Sequence, residues 1–522
     1  MGRNLFNIFI TGGTTLGSRI LGLLRDILIF SFFGASALHS AFIVAFMLPN
    51  LFRRLLGEGA LVSALVPILS GEVEGRGRRA GFHLLNKVLS RVGLLLLGLT
   101  IVGMALLVGV QGLPELAPRW RQAAHLGVIL MPYMPLVCFA AVLGGALNVL
   151  GRFAATAFSS VWLNLAMIAA LGILAFVPAS SSAQIYYLCS GVLAGGILQV
   201  GAAAWALSRQ GWRPYFDWRL TERLTEIRAL WAPGLVGAVV LQVNVLVSRL
   251  LAFGLNDGAV AFLYLANRLM ELPLGVFTIA VATVVFPNLA RFAAKGDAQE
   301  FVESFHRGLW WVMAVTVPAA LGLLLLRQPI VAFLFEWGRF DVSDVLLAGP
   351  VVGVFALGLP FYSLAILATR GLHALKDTRT TALGAALSFS VNLALSLLLM
   401  HRWGMEGLAA ANVLAAGVQG GWLYVRLKQR IRLFWNLPQG SHSKDRIWEN
   451  LDWRGPLLRI GLATAGMSIV CLGGLEWIGS VWGSGKLAAM IAVMGMIPLA
   501  AVVYFILFGL LRFVFSRNTE SG

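Results

Sequence analysis

The chain has 522 residues, 59% of them hydrophobic and only 12% charged, with 40 Lys and Arg against 23 Asp and Glu. A mean hydropathy of +0.83 exceeds what a soluble core needs, so the composition excludes a soluble globular domain and indicates a polytopic membrane protein. The net charge of +17 does not signal nucleic acid, because it collects in short loops between apolar runs.

Fourteen apolar runs of roughly 20 residues or more can each cross about 30 Å of hydrocarbon as a helix. They centre near residues 18, 55, 97, 137, 165, 195, 242, 275, 316, 360, 390, 416, 468 and 500. The first follows Arg3 without a small-residue cleavage site, so it is expected to be a span and not a removed signal. With the amino terminus inside, the cytoplasmic segments hold 27 Lys and Arg and the outer segments hold 6, leaving 7 within spans. That asymmetry places both termini in the cytoplasm. The basic loops "EGRGRR" (74–79) and "RPYFDWRLTERLTEIR" (213–228) orient the chain and face anionic lipid. Cys138, Cys189 and Cys471 lie in apolar runs and are expected to be small buried hydrophobes, neither disulfides nor metal ligands.

A repeat organises these spans. Residues 33–69 set against 253–289, a shift of 220 without a gap, share seven identities in 37 positions, including Phe33–Gly34 with Phe253–Gly254 and Pro67 with Pro287. The shift covers six spans, and an even number preserves orientation. The expected fold is therefore an all-α polytopic membrane protein with two parallel six-helix lobes around a central cavity, plus two extra C-terminal helices. The corresponding divisions are 1–210, 211–427, a cytoplasmic linker at 428–457 that includes "NLPQGSHSKDR", and 458–522.

The charges inside spans are the chemical signal. They are Arg19, Arg25, Arg53, Arg54, Arg249, Arg268 and Arg370, with Asp26, Glu58 and Glu271. All but Arg370 fall on the first two helices of each half, which would line a cleft between facing lobes. An arginine at mid-membrane costs about 2.5–3.5 kcal/mol on insertion scales, while one leucine returns only about 0.3–0.6. Three acids cannot neutralise seven arginines, so the surplus marks a site for an anion. Arg19 and Asp26, seven apart, share a helix face, and Arg25 points about 100° away. Arg54 and Glu58 (i,i+4) and Arg268 and Glu271 (i,i+3) can pair along one helix. Arginine's planar fork grips phosphate through two parallel bonds, so a diphosphate suits three or four such forks. Against this stands the bland reading: Arg54, Arg249 and Arg370 are the residues best placed to snorkel to an interface, and Glu58 and Glu271 can serve as structural partners. Pro49, Pro67, Pro273 and Pro287 are expected to bend helices.

The same residues carry a resemblance. "SRILGLLRD" (18–26), "FGAS" (33–36), "AFMLPNLFRRLLGEGALVSALVPIL" (45–69) and "NRLMELPLGVF" (267–277) resemble the signature of the MurJ (MviN) lipid II flippases, of the superfamily that includes multidrug and toxin extruders and polysaccharide flippases. The resemblance implies a transporter, not an enzyme. It implies translocation of the undecaprenyl-diphosphate-linked peptidoglycan precursor from the inner to the outer leaflet of the bacterial cytoplasmic membrane, for cell-wall synthesis and cell shape. It implies that Arg19, Arg25, Arg53 and Arg268 bind substrate, with Asp26, Glu58 and Glu271 as gating or charge partners. It also implies that the last two spans help hold the lipid tail. Lipid II and membrane lipids are the expected partners, with no nucleic acid, no cofactor, no metal, and a monomeric state. The chain departs from the family pattern at Ser40 and Asn267, which stand where relatives carry acids, so the resemblance assigns no gating or ion-coupling acid there.

Two other transport functions remain open on the residues. A flippase for another polyprenyl-diphosphate glycan, of O-antigen type, shares the diphosphate logic. A drug or cation antiporter would need a surplus of embedded acids, and arginines outnumber acids seven to three. A membrane glycosyltransferase or phosphatase needs carboxylates placed for metal or base chemistry. The sequence has no DxD, no His-rich motif and no GxxxxGK[ST].

Overall fold

The computed structural model describes residues 2–57, 60–176, 180–435, 454–483 and 485–520, and contains only helices and their connections among them. Chain order gives α1 (Gly2–Phe33), α2 (Ala37–Phe52), α3 (Ala60–Gln111), α4 (Pro118–Leu130), α5 (Tyr133–Val149), α6 (Phe153–Ala157), α7 (Ser159–Leu174), α8 (Ser181–Ser208) and α9 (Glu222–Leu255). Then follow α10 (Ala259–Pro273), α11 (Ile279–Lys295), α12 (Ala298–Leu325), α13 (Arg327–Phe335), α14 (Val342–Ala356), α15 (Leu359–Ala374) and α16 (Thr378–Phe434). The last three are α17 (Arg454–Trp482), α18 (Lys486–Ile491) and α19 (Ile497–Glu520). Nine helical stretches among the described residues are long and apolar enough to cross a membrane, and the pair α4–α5, bent by 45°, makes a tenth.

Two of these stretches are too long for one crossing. At 1.5 Å per residue, the 52 residues of α3 and the 57 of α16 would extend roughly 80 Å, far beyond a bilayer core. Each breaks at a glycine in a conformation that other residues rarely adopt: Gly77 (φ 83°) and Gly404 (φ 53°). Beyond the second break the chain returns so closely that a Cβ on Gly407 would lie 2.4 Å from the Leu399 carbonyl oxygen. Each of the fourteen apolar centres read from the sequence falls within a helical segment.

The contacts divide the chain into two compact units, Met1–Ala261 and Phe262–Gly522. In the first, α3, α5, α8 and α9 close around Leu65, Leu85, Val142, Leu147, Leu207, Trp212 and Ile227. The division falls after α9 because α9 packs on α2 and α3. In the second, α11, α12, α15 and α16 enclose Leu289, Phe301, Phe305, Leu367, Leu372, Leu423 and Leu427. The last helices pack against each other through Met467, Cys471 and Tyr504. The Tyr504 hydroxyl donates to the Ala314 carbonyl of α12 at 2.6 Å. The three cysteines are free and buried.

The repeat is visible in the backbone. Wide π-helical turns occupy Arg53–Gly57 and Leu274–Thr278, at nearly the shift read from the sequence, and a third occupies Ala492–Met496. Each lies near a proline: Pro49, Pro273 and Pro498. Proline supplies no N–H and disturbs the regular ladder of its helix, and the wide turns lie within a few residues of that disturbance. The shared Phe-Gly pair does not make a shared turn. Gly34 turns with φ 59°, whereas Gly254 lies in the last helical turn of α9 and the chain bends at 256–258.

Candidate functional site

Asp26 is almost fully buried, with a side-chain exposure of 1%. Its partner is its neighbour Arg25, whose Nε and Nη2 donate to Asp26 Oδ1 at 3.0 and 2.6 Å. The face shared by Arg19 and Asp26 does not foretell this contact: an arginine side chain is long enough to fold back beside the adjacent residue. Nη1 of Arg25 donates to Asn164 Oδ1 on α7 at 3.0 Å, and Asn164 Nδ2 donates to the Ser18 carbonyl at 3.1 Å. One asparagine thus ties α7 to both a charged side chain and the backbone of α1. Isolated buried charges are prohibitively costly, and this knot compensates both members of the pair.

The other embedded charges take separate positions. Arg53 begins the first π turn, half-buried, and its Nε donates to Asn50 Oδ1 at 3.1 Å. Arg54, next to it, is exposed, and Arg19 and Arg249 are half-buried on α1 and α9. Glu58, and with it the expected pairing to Arg54, lies outside the described residues. In the second unit, Arg268 Nη1 lies 2.8 Å from Glu271 Oε2, and Glu271 is exposed. Arg370, also exposed, sits 5.6 Å from the ring centre of Phe286. Ser40 is fully buried, and its hydroxyl has no hydrogen-bond partner among the described residues. Asn267 is exposed and its amide donates to the Leu263 carbonyl of its own helix. Among the described residues no three His, Cys, Asp or Glu side chains converge as a metal site would require.

Sequence reasoning missed Asn164 and Asn50. Asn164 had a signal, being the one amide in the apolar run "SSVWLNLAMIAALGIL", and a lone polar residue in a span is functional by default. Asn50 and Phe286 belong to "LPN" and "FPN", where the prolines drew attention away from their neighbours.

The architecture is that of a multi-pass helical membrane protein. It superposes on a solved inward-facing multidrug-resistance MATE transporter of the MOP superfamily with a TM-score of 0.67 at 13% identity, over 82% of this chain and 99% of that one. It superposes more fully on a solved lipid II flippase MurJ in an inward closed conformation: TM-score 0.78 at 23% identity, over 98% of this chain and all of that one. The family model described as lipid II flippase MurJ matches residues 29–493. A probable lipid II flippase MurJ of Rhizobium tropici is 33% identical over 513 residues, 96% of this chain and 93% of its own length. Another from Bdellovibrio bacteriovorus is 32% identical over 518 residues. The chain belongs to the lipid II flippase MurJ family.

Proposed function

We propose that this protein is a lipid II flippase of the bacterial cytoplasmic membrane, moving the undecaprenyl-diphosphate-linked precursor outward for peptidoglycan synthesis. The single observation that carries the reading is the excess of embedded arginines over acids in a chain of this family. Arg25 lies on Asp26 and on Asn164, and across the spans the sequence sets seven arginines against three acids. In this reading Arg19, Arg25, Arg53 and Arg268 hold the diphosphate. Two parallel lobes, spans 1–6 and 7–12, rock about a central cationic cavity while the tail stays in lipid. Both termini are cytoplasmic, 428–457 is a cytoplasmic linker, and the protein works as a monomer. Arg25 exchanges its Asp26 and Asn164 partners for phosphate oxygens, an exchange between charge-assisted bonds of similar strength. The test is rescue of cells depleted of their own lipid II flippase. Growth and normal shape are expected; no rescue despite normal membrane expression would turn the assignment to another polyprenyl-diphosphate glycan.

A further inference from the structure

Between α8 and α9 the chain runs from 212 to 221 without helix or turn, yet it is held along its length by α3. Trp212 is buried and its indole N–H donates to Asn86 Oδ1 at 2.9 Å. Asn86 in turn donates to the Arg213 carbonyl at 2.9 Å. Tyr215 hydrogen-bonds His83. The Asp217 N–H donates to Ser90 Oγ at 3.0 Å, and the Asp217 carboxylate lies 4.0 Å from Lys87. Arg91 donates to the Trp218 carbonyl at 2.6 Å and stacks 4.8 Å from its ring centre. Ile227, one turn into α9, closes the arch in the same buried core as Trp212.

These bonds hold the backbone of the segment while most of its side chains stay exposed, those of Arg213 and Arg219 included. In an extended chain alternate residues share a face, about 6.6 Å apart. Phe216 and Trp218 stack nearly parallel with centres 6.5 Å apart, and Leu220 follows two residues later. The three are 68%, 55% and 77% exposed, the Trp218 ring carrying Arg91 of α3 on one side, while Tyr215 and Asp217 on the alternate positions reach His83 and Lys87 of α3. Arg213 and Arg219 flank the plate and are exposed. The strip begins where a membrane-crossing helix ends: α8 closes with an exposed Trp205, and Arg209 lies 4.9 Å from its ring centre. Aromatic and arginine residues together at the end of a span mark the head-group layer. Arg76, Arg78 and Arg79, also exposed, stand at the α3 break.

We propose that residues 213–220 form a binding strip for anionic phospholipid head groups, with Phe216, Trp218 and Leu220 inserted beside the acyl chains and Arg213 and Arg219 on the phosphates. Charge complementarity selects the occupant: apolar side chains at an interface flanked by arginines match a negatively charged leaflet. The strip would seat the α8–α9 connection at a fixed depth in the membrane.

The test uses the full-length protein and dioleoyl phosphatidylglycerol, with dioleoyl phosphatidylcholine as the neutral control. Phe216→Ser, Trp218→Ser, Arg213→Gln and Arg219→Gln are combined in one variant, which keeps the contacts to α3 made by Trp212, Tyr215, the Asp217 side chain and the Trp218 carbonyl and gives up only the stack of Arg91 on the Trp218 ring. Native mass spectrometry should show the variant losing about tenfold or more of the phosphatidylglycerol affinity, from the two arginines alone, with phosphatidylcholine retention nearly unchanged. Unchanged gel-filtration behaviour certifies the fold. Leu220→Cys carrying bimane gives a second readout, made selective because the three native cysteines are buried. Its emission should shift to the blue in phosphatidylglycerol vesicles more than in phosphatidylcholine vesicles. Equal lipid retention by both proteins overturns the proposal. So does a label equally wet in both vesicles, or one that becomes shielded only in cells, which would assign the strip to a protein partner.

Discussion

Removing Arg25 alone conflates two losses, and a paired substitution separates them. Arg25→Leu removes the guanidinium that lies 2.6 Å from Asp26, a carboxylate with 1% exposure. Breaking a buried pair from one side costs about 3–5 kcal/mol. For a unit of 261 residues the unfolding entropy is about 0.5 kcal/mol per K, so the melting temperature should fall by roughly 6–10 °C. Adding Asp26→Leu removes the carboxylate as well. Replacement of both members by leucine is close to neutral apart from the bond lost at Asn164, about 1 kcal/mol. The double variant should therefore recover most of the stability of the parent protein. It should still fail to rescue flippase-depleted cells, because the fork proposed to hold the diphosphate is gone. The assays are thermal unfolding of purified protein by size-exclusion fluorescence, and colony formation under depletion. A double variant that melts as low as Arg25→Leu would refute the pair as the stabilising unit. One that rescues growth would remove Arg25 from the cargo site.

Arg25→Lys keeps the charge and loses the planar fork, so its affinity for lipid II should fall roughly tenfold to a hundredfold yet stay above that of Arg25→Ala, with the same order for undecaprenyl diphosphate in a binding titration. Asp377 caps α16 by accepting from the Thr380 N–H at 3.0 Å and its hydroxyl at 2.8 Å, and lies 3.3 Å from Arg430. Its burial works to raise the pKa, but the Thr380 bonds and the nearby arginines outweigh it and hold the carboxyl below its ordinary 3.8. A depressed folded-state pKa stabilises above the unfolded value and is lost as pH falls through the folded one. Asp377→Ala should thus cost about 0.5–2 kcal/mol near neutrality, and the gap to the parent protein in thermal unfolding should close as the pH is lowered below about 4. Single cysteines at Gly77, Gly211 and Ser441 should resist a membrane-impermeant thiol reagent in intact cells, and one at Ser181 should react. Labelling of Gly211 from outside would break the proposed orientation, because it shifts every later span.

The apolar runs made the helices legible, because each run must satisfy its backbone internally in lipid and only a helix does so. The Arg268–Glu271 pair was legible for the same reason, since its spacing belongs to one helix. The knot around Arg25 was not. Its geometry depends on a side chain folding back on its neighbour and on Asn164, 139 residues away. Helical wheels describe Cβ directions, not where a long guanidinium ends. The π turns were equally hidden, since prolines announce a disturbance without saying whether the helix kinks, breaks or widens. The extended strip at 212–221 looked only like a charged loop until Asn86, Ser90 and Arg91 were seen to supply its hydrogen bonds.

The matched wide turns at Arg53–Gly57 and Leu274–Thr278 also bear on ancestry. A π turn accommodates one extra residue, so no point substitution need erase it. Its removal calls for a one-codon deletion at the turn itself, since a deletion elsewhere in the helix would rotate the following residues by about 100°. Selection acts far more harshly on such a deletion than on exchange of one apolar residue for another. The paired turns are therefore a slow clock of the internal duplication, still within one residue of register where the two segments have drifted to seven identities in 37.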